Sequence, residues 1–251
     1  FWDVRHMREI DTLSHPAAHG SIEALALDPQ RHWLCAGTSN GHVALWDTRF
    51  HVRLQTWRTS NHARIRACAL HPTRKYVLTV ATSAVLSLDL GTGAVLETFD
   101  SREFGEHVPN ITLEPCVDEA PSDTCWDGSY ALCVGADGYL SSPAESPRGW
   151  IITGGSDRVV RFWDLGRADT CTAFGSQIHG EFTMTHHRYM HTFQCVEAPT
   201  KRSPLHIHQQ VRDAMGSLTS HQDTITALAV IEAPYRCIVA GDRSGVLCVW
   251  E

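Results

Sequence analysis

Trp33-Leu34-Cys35-Ala36-Gly37-Thr38-Ser39-Asn40-Gly41-His42-Val43-Ala44-Leu45-Trp46-Asp47 is the stretch that decides the fold. Trp33 to Ala36 reads as one strand and Val43 to Trp46 as the next, both apolar enough to sit inside a sheet. Between them Asn40-Gly41 signals a hairpin, because a two-residue turn needs φ > 0 and these residues tolerate it. Upstream, His19-Gly20 precedes a strand over Ile22 to Leu27, and Asp28-Pro29-Gln30 turns the chain, with proline fixing φ. Downstream, Val52 to Trp57 alternates as a fourth, outer strand. The third strand of this unit ends on an aromatic and an acid.

The same ending recurs as Phe1-Trp2-Asp3, Leu45-Trp46-Asp47, Phe162-Trp163-Asp164 and Val249-Trp250-Glu251, with Leu88-Asp89 as a copy in which leucine replaces tryptophan. Successive copies lie 44, 42, 75 and 87 residues apart. The second unit repeats the order of the first. Ile65 to Leu70 and Tyr76 to Val80 flank His71-Pro72, Val85 to Leu88 follows, and Gly91-Thr92-Gly93 turns into Val95 to Phe99. The last unit reads as strands over Thr224 to Val230, Cys237 to Ala240 and Val246 to Trp250. Short strands separated by Gly, Pro and Asn turns predict an all-β chain.

These units resemble the WD-repeat family, whose period is about 40 to 45 residues, one propeller blade each. The fold class expected is an all-β WD-repeat β-propeller, a partial ring of four to six blades out of seven that starts in the middle of a blade. Residues 1–251 are read as a C-terminal portion of such a propeller, and as a piece of a longer polypeptide. Residues 100–149 are read as an acidic and Pro/Ser-rich insertion, and 165–220 as a long insertion or a degenerate blade. The resemblance also implies a hydrogen-bonded set in each blade: a histidine before the first strand, a Ser/Thr on the second, an acid or amide six residues before the tryptophan, and the tryptophan. The first unit offers His19, Thr38, Asn40 and Trp46; the later units offer Asp157 with Trp163, and His221 with Trp250. The second unit has Leu88 and Thr82 in place of the tryptophan and the acid. The last has Ser244 at the acid position, with Asp242 two residues earlier. Those two units are expected to lack the complete set. A lone histidine before a strand could be a catalytic base, but its recurrence at a matched place assigns a structural role.

A narrower resemblance rests on Ala63-Arg64-Ile65-Arg66 followed by Leu70-His71-Pro72, on Trp150 to Asp157 running into Arg161-Phe162-Trp163-Asp164-Leu165, and on His221 to Thr226 through Val249-Trp250. These blocks are similar to the C-terminal propeller of the regulatory, kinase-like subunit of class III phosphatidylinositol 3-kinase, of the vacuolar protein sorting family. The resemblance implies a non-catalytic scaffold in endosomal sorting and autophagy. Its partners would be the lipid kinase catalytic subunit and coiled-coil subunits. It would lie in the cytoplasm and on endosomal and autophagic membranes, reaching them only through the complex. It also implies a longer parent carrying a serine/threonine protein kinase-like domain. A generic WD-repeat adaptor, in trafficking or as a ubiquitin-ligase substrate receptor, is the alternative.

Composition narrows the classes further. The 251 residues carry a net charge of -7, which disfavours broad nucleic-acid binding. Seven acids against one base between Asp100 and Asp123 account for most of that charge, and read as a solvated loop or a strip for a basic partner. No apolar run approaches the ~18 residues of a spanning helix. The nine cysteines include no Cys-x-x-Cys pair, and Cys35, Cys68, Cys133, Cys237 and Cys248 fall in apolar strands, as buried thiols of a reducing compartment do. No phosphate-binding loop, kinase catalytic loop or nucleophile elbow is present, so no catalytic and no cofactor-binding residue is assigned. No metal is assigned either. The residues weighed for one are His186, His187, His191 and Cys195, near His206 and His208. Alternation in Phe182 to Thr185 and in Thr192 to Cys195 predicts strands there, and a histidine-rich surface insertion is preferred. Ser142-Pro143 and Ser146-Pro147 lie in a Pro/Ser-rich loop that a proline-directed kinase could phosphorylate.

Overall fold

A computed structural model describes residues 1–30, 32–59, 63–82, 84–100, 113–115, 128–135, 149–166, 171–174, 182–188, 191–197, 206–207, 221–231 and 237–250. The strands, in chain order, begin with β1 (Trp2–Asp3), β2 (Arg8–Glu9), β3 (Ile22–Leu27), β4 (Trp33–Thr38), β5 (His42–Asp47), β6 (Val52–Thr59) and β7 (Ala67–Leu70). There follow β8 (Val77–Ala81), β9 (Val85–Asp89), β10 (Val95–Asp100), β11 (Leu113–Pro115), β12 (Ser129–Gly135), β13 (Trp150–Gly155) and β14 (Val160–Asp164). The last are β15 (Thr172–Phe174), β16 (Phe182–Arg188), β17 (His191–Glu197), β18 (His206–Ile207), β19 (Ile225–Ile231), β20 (Cys237–Asp242) and β21 (Leu247–Trp250).

Among the described residues all sheet pairing is antiparallel and falls into four blades and a ribbon. Blade one is β3-β4-β5-β6, blade two β7-β8-β9-β10, blade three β12-β13-β14-β15, and blade four β19-β20-β21. The ribbon β1-β2 ends its first strand on Trp2-Asp3, the motif that ends the third strand of a blade. Inner strands β3, β7, β12 and β19 neighbour one another in that order, so the blades stand side by side around a common axis.

Burial follows from this stacking. β8 lies between blades one and three, and β5 between blade two and the segment before β3, whose Leu13 packs on Ala44 and Trp46, so both strands are buried along their whole length and their sequences run apolar instead of alternating. The inner strand β3 alternates, with Ala24 and Ala26 inside and Leu25 and Leu27 outside. Three seams make the core. Val43, Leu45 and Trp57 meet Leu78, Val80 and Leu86 between blades one and two. Val85 and Phe99 meet Ile151 and Trp163 between two and three. Ile152 and Phe162 meet Ile225, Ile238 and Trp250 between three and four. Each such side chain contributes about 1.5 to 3 kcal/mol of burial.

Two glycines set how closely the blades approach. A Cβ at Gly37 would stand 2.3 Å from Ile65 Cγ2, and one at Gly154 would stand 2.6 Å from Ile225 Cγ2. Both glycines lie nine residues before their tryptophan, and both isoleucines are fully buried where the next blade's inner strand begins. The same knob therefore enters the same hole at two seams.

The segments read as insertions contribute strands. β12, the inner strand of blade three, lies inside the 100–149 segment, because its weaker alternation hid it among turn residues. β11 pairs with the outer edge of blade one through Leu113↔Thr59 to Pro115↔Trp57. Within 165–220, β15 is the outer strand of blade three, the hairpin β16-β17 extends blade two through Glu97↔Arg188 to Asp100↔Thr185, and β18 pairs with β21 as the outer strand of blade four. At β11 and at the hairpin β16-β17 the chain thus reaches back to line the edges of blades already made, and covered edges resist pairing with foreign strands. Most of the acidic stretch, the two Ser-Pro dipeptides and His208 lie outside the described residues. Among the described residues no helix is long and apolar enough to cross a membrane.

Candidate protein-interaction site

In the ribbon and in blades one to three, the acid at the end of the Trp-Asp strand or its Leu-Asp copy closes the turn that follows. Asp3 accepts hydrogen bonds from the backbone N–H groups of Arg5 and His6 at 3.0 and 3.3 Å. Asp47 accepts from Arg49 and Phe50, Asp89 from Gly91 and Thr92, and Asp164 from Gly166 at 2.7 Å. A short carboxylate two residues before the N–H completes this loop, which explains why Asp89 survives where tryptophan has become leucine. The Arg49 guanidinium, 2.6 Å from Asp47, holds that carboxyl down at about 2. The Thr92 backbone N–H lowers Asp89 in the same direction.

The turn between second and third strands is built differently in each blade. In blade three Trp163 Nε1 donates to Thr153 Oγ1 at 3.0 Å, while Asp157 accepts from Val159 N–H and pairs with the buried Arg161 at 2.5 Å. Thr153 lies ten residues before its tryptophan. The residue at that place in blade one is Ala36, which packs on Trp46. Thr38 stands two residues further on, where its Oγ1 accepts from His42 N–H at 3.1 Å. In blade one the place from which Thr153 meets its indole is thus taken by Ala36, and Thr38 closes the turn on His42. Asn40 donates through Nδ2 to Ala18 O at 3.0 Å, and His19 stacks on His42 with ring centroids 4.1 Å apart.

In blade four the acid is Asp242. Its Oδ2 lies 3.3 Å from His221 Nδ1 and accepts Gln222 N–H at 2.8 Å, and its Oδ1 accepts from Ser244 N–H, Ser244 Oγ and Val246 N–H. Asp242 and Thr38 both lie eight residues before their tryptophan, and both accept the N–H four residues on. Blade four thus holds its histidine through an acid at the threonine's place. Burial lowers the pKa of His221, working against the attraction of Asp242, and Trp250 lies against it at 5.6 Å. In blade two Thr82 Oγ1 closes its own turn on Ala84 O at 2.9 Å, and Leu88 fills the tryptophan's place inside the core.

Around the axis, Arg64-Ile65-Arg66 ties three blades together. Arg64 reaches Glu23 of blade one at 3.1 Å, Ile65 plugs the space left by Gly37, and Arg66 lies over the Tyr130 ring of blade three at 4.1 Å. Glu23 and Tyr130 each occupy the extra residue of a bulge in their inner strand, which turns them toward this rim. Sequence reading used Ala63 to Arg66 only as a family block and missed its partners, because neither bulge has a sequence mark. It also missed a buried polar row in blade two. Thr79, Ser87 and Glu97 are successive cross-strand partners, and Glu97 meets Arg74 at 3.1 Å and His71 Nε2 at 3.7 Å.

His187 and His191 do not share a helical face. They lie on β16 and β17, opposite Thr192 and Arg188, and His186 and Cys195 are opposite Phe193 and Met184. Among the described residues no group of three or more His, Cys, Asp or Glu is placed to hold a metal ion. Burial raises the Cys68 and Cys248 thiols to about 12, and raises Cys35 too, which keeps them protonated within the seams. Among the described rim and turn residues, polar groups are spent on closing turns and joining blades. What they can do chemically is hold a rigid surface of loops.

The family model for the WD domain, G-beta repeat, matches residues 8–47. The putative serine/threonine-protein kinase VPS15 of Komagataella pastoris is 23% identical over 269 residues, covering 100% of this chain and 20% of that protein. The serine/threonine-protein kinase VPS15 of Arabidopsis thaliana is 23% identical over 283 residues, covering 100% of this chain and 19% of that protein. The chain therefore spans about a fifth of the length of the curated relatives it matches. The solved structure of U3-55K superposes with a TM-score of 0.52 at 13% identity, over 95% of this chain and 50% of that one, a likeness of fold. The chain is an all-β WD-repeat propeller, similar along its whole length to proteins named VPS15.

Proposed function

We propose that this WD-repeat propeller is the protein-interaction part of the regulatory subunit of a class III phosphatidylinositol 3-kinase complex. In this reading it catalyses nothing itself. It holds the lipid kinase catalytic subunit and coiled-coil subunits together, on endosomal and autophagic membranes, for sorting and autophagy. It touches the membrane through the complex alone. Kinase chemistry belongs to the remainder of a longer parent, as the name serine/threonine-protein kinase of the relatives suggests. The observation that carries the reading is similarity over all of this chain to two VPS15 proteins from distant organisms. The geometry supports it: the polar groups of the turns and rim serve blade closure, as a scaffold requires.

The test is purification of the tagged full-length protein from its own cells. Co-purification of the class III lipid kinase, lost when residues 1–251 are removed, is the expected result. Retention of the lipid kinase without the propeller would overturn the assignment of this segment, and recovery of cullin or ubiquitin-ligase subunits in its place would favour a generic adaptor.

A further inference from the structure

Between blades one and two, on the face bearing the turns that join first to second and third to fourth strands, lies a groove of about 980 Å³. That volume is in the range of sites that hold drug-sized ligands or side-chain clusters, about 300 to 1,000 Å³. Its floor is apolar: Trp33, Leu45 and Leu90 are buried beneath it, and Leu54 and Tyr76 stand at its mouth with 56% and 64% of their surface exposed.

Two features aim those exposed side chains. Leu54 is the extra residue of a bulge in β6, between the pairs Leu45↔Gln55 and Trp46↔Arg53, and bulges re-aim side chains beside functional sites. Tyr76 has φ 60°, a conformation that costs an aromatic residue energy and is kept where it serves a purpose.

Most charged groups around the groove already have a partner, an ion pair for Arg49 and Arg74 and turn N–H groups for Asp28 and Asp89. Asp28 accepts His32 N–H, Asp89 closes its turn, Asp47 holds Arg49, and Glu97 holds Arg74. Lys75 is exposed at the mouth, and no described carboxylate pairs with it. An apolar trough with one uncommitted cation complements an apolar segment that carries an acid.

We propose that this groove binds a linear segment of a partner protein in which apolar side chains flank an aspartate or glutamate. The apolar side chains cover Leu54, Tyr76 and Trp33, and the carboxylate meets Lys75. This does not rest on the lipid-kinase reading, because it is tested with no lipid kinase present.

The probe is a phage-displayed library of random twelve-residue peptides, panned on the immobilised full-length protein. Enrichment of peptides that combine large apolar residues with Asp or Glu is expected. Lys75→Glu should weaken the best peptide about tenfold, since a charge pair at a partly desolvated rim is worth that much, and a peptide with its acid changed to lysine should regain binding to the variant. Leu54→Glu should abolish binding. Both substitutions alter exposed side chains, so unchanged melting is expected and is checked alongside. Peptides that bind both variants as well as the parent, enrichment of basic peptides, or no enrichment over an unrelated bait would each overturn the proposal.

Discussion

Gly37 and Gly154 carry no function of their own, yet they fix the spacing of two seams. Gly154→Ala places a methyl group against the stiff, branched Ile225, and is expected to cost about 1 to 3 kcal/mol as over-packing. For a chain of this size, that lowers the melting temperature by roughly 2 to 4 °C per kcal/mol. Calorimetry of G154A, I225A and the double variant checks it: the double should lose less than the sum, because one change makes room for the other. Strict additivity would show that the glycine matters for another reason.

At the same scale, His221 makes stability depend on pH. Its folded pKa lies below the unfolded value of about 6.5, so the unfolded chain binds more protons as pH falls through that value. Its contribution is intact above about pH 7 and is lost progressively on acidification toward the lowered folded pKa. The lowered Asp242 carboxyl works in a lower window: its contribution is present above the unfolded carboxylate value and is lost as pH falls through its folded value. Urea melts between pH 7.5 and 5 should fall more steeply for the parent than for His221→Gln. Equal slopes would remove the histidine from the account.

At the scale of the element, Asp47, Asp89 and Asp164 close the turns that lead into the fourth strands of blades one to three. Asp89→Ala deprives the Gly91 and Thr92 N–H groups of their acceptor and is expected to cost about 1 kcal/mol. Asp89→Asn, which keeps an acceptor oxygen, should cost less. Thermal melts of the pair decide this, and equal losses would assign the effect to charge in place of turn closure. The strands of blades one and two were legible in sequence to within two residues, because apolar runs ended at turn signals. The strand β12 was not, since its alternation is weak, and neither were the edge strands β11, β15 and β18, which are two or three residues long and are held only by the sheet edge they join. The hairpin β16-β17 was legible as alternation, but its place on blade two was not.

At the scale of the whole molecule, the outermost blade faces are apolar and open. Leu25 and Leu27 on blade one are 59% and 50% exposed, and Leu247 and Ile231 on blade four are 45% and 43% exposed. Apolar surface of this kind marks an interaction face. The isolated 251-residue chain is expected to self-associate as concentration rises, and Leu25→Lys with Leu247→Lys to reduce that association. Light scattering after size exclusion measures it, and a monodisperse monomer at every concentration would refute it.

Taken by itself, the sequence determined the class of fold, the recurrence of the blade and the burial of Cys35 and Cys248, because all three depend on residue type at short, repeated spacings; Cys68, Cys133 and Cys237 are only partly buried. It also offered Asp157 with Trp163, and His221 with Trp250, as candidates for the hydrogen-bonded set that the family resemblance implies. Tertiary structure alone decided which hydroxyl meets an indole, that Asp242 holds His221, that Arg64 and Arg66 reach to Glu23 and Tyr130, and that Leu54, Tyr76 and Lys75 share one groove. Those contacts join residues on different strands and blades. They depend on bulges and on the angle between neighbouring sheets, which are set by packing over the whole chain and not by any local run of residues.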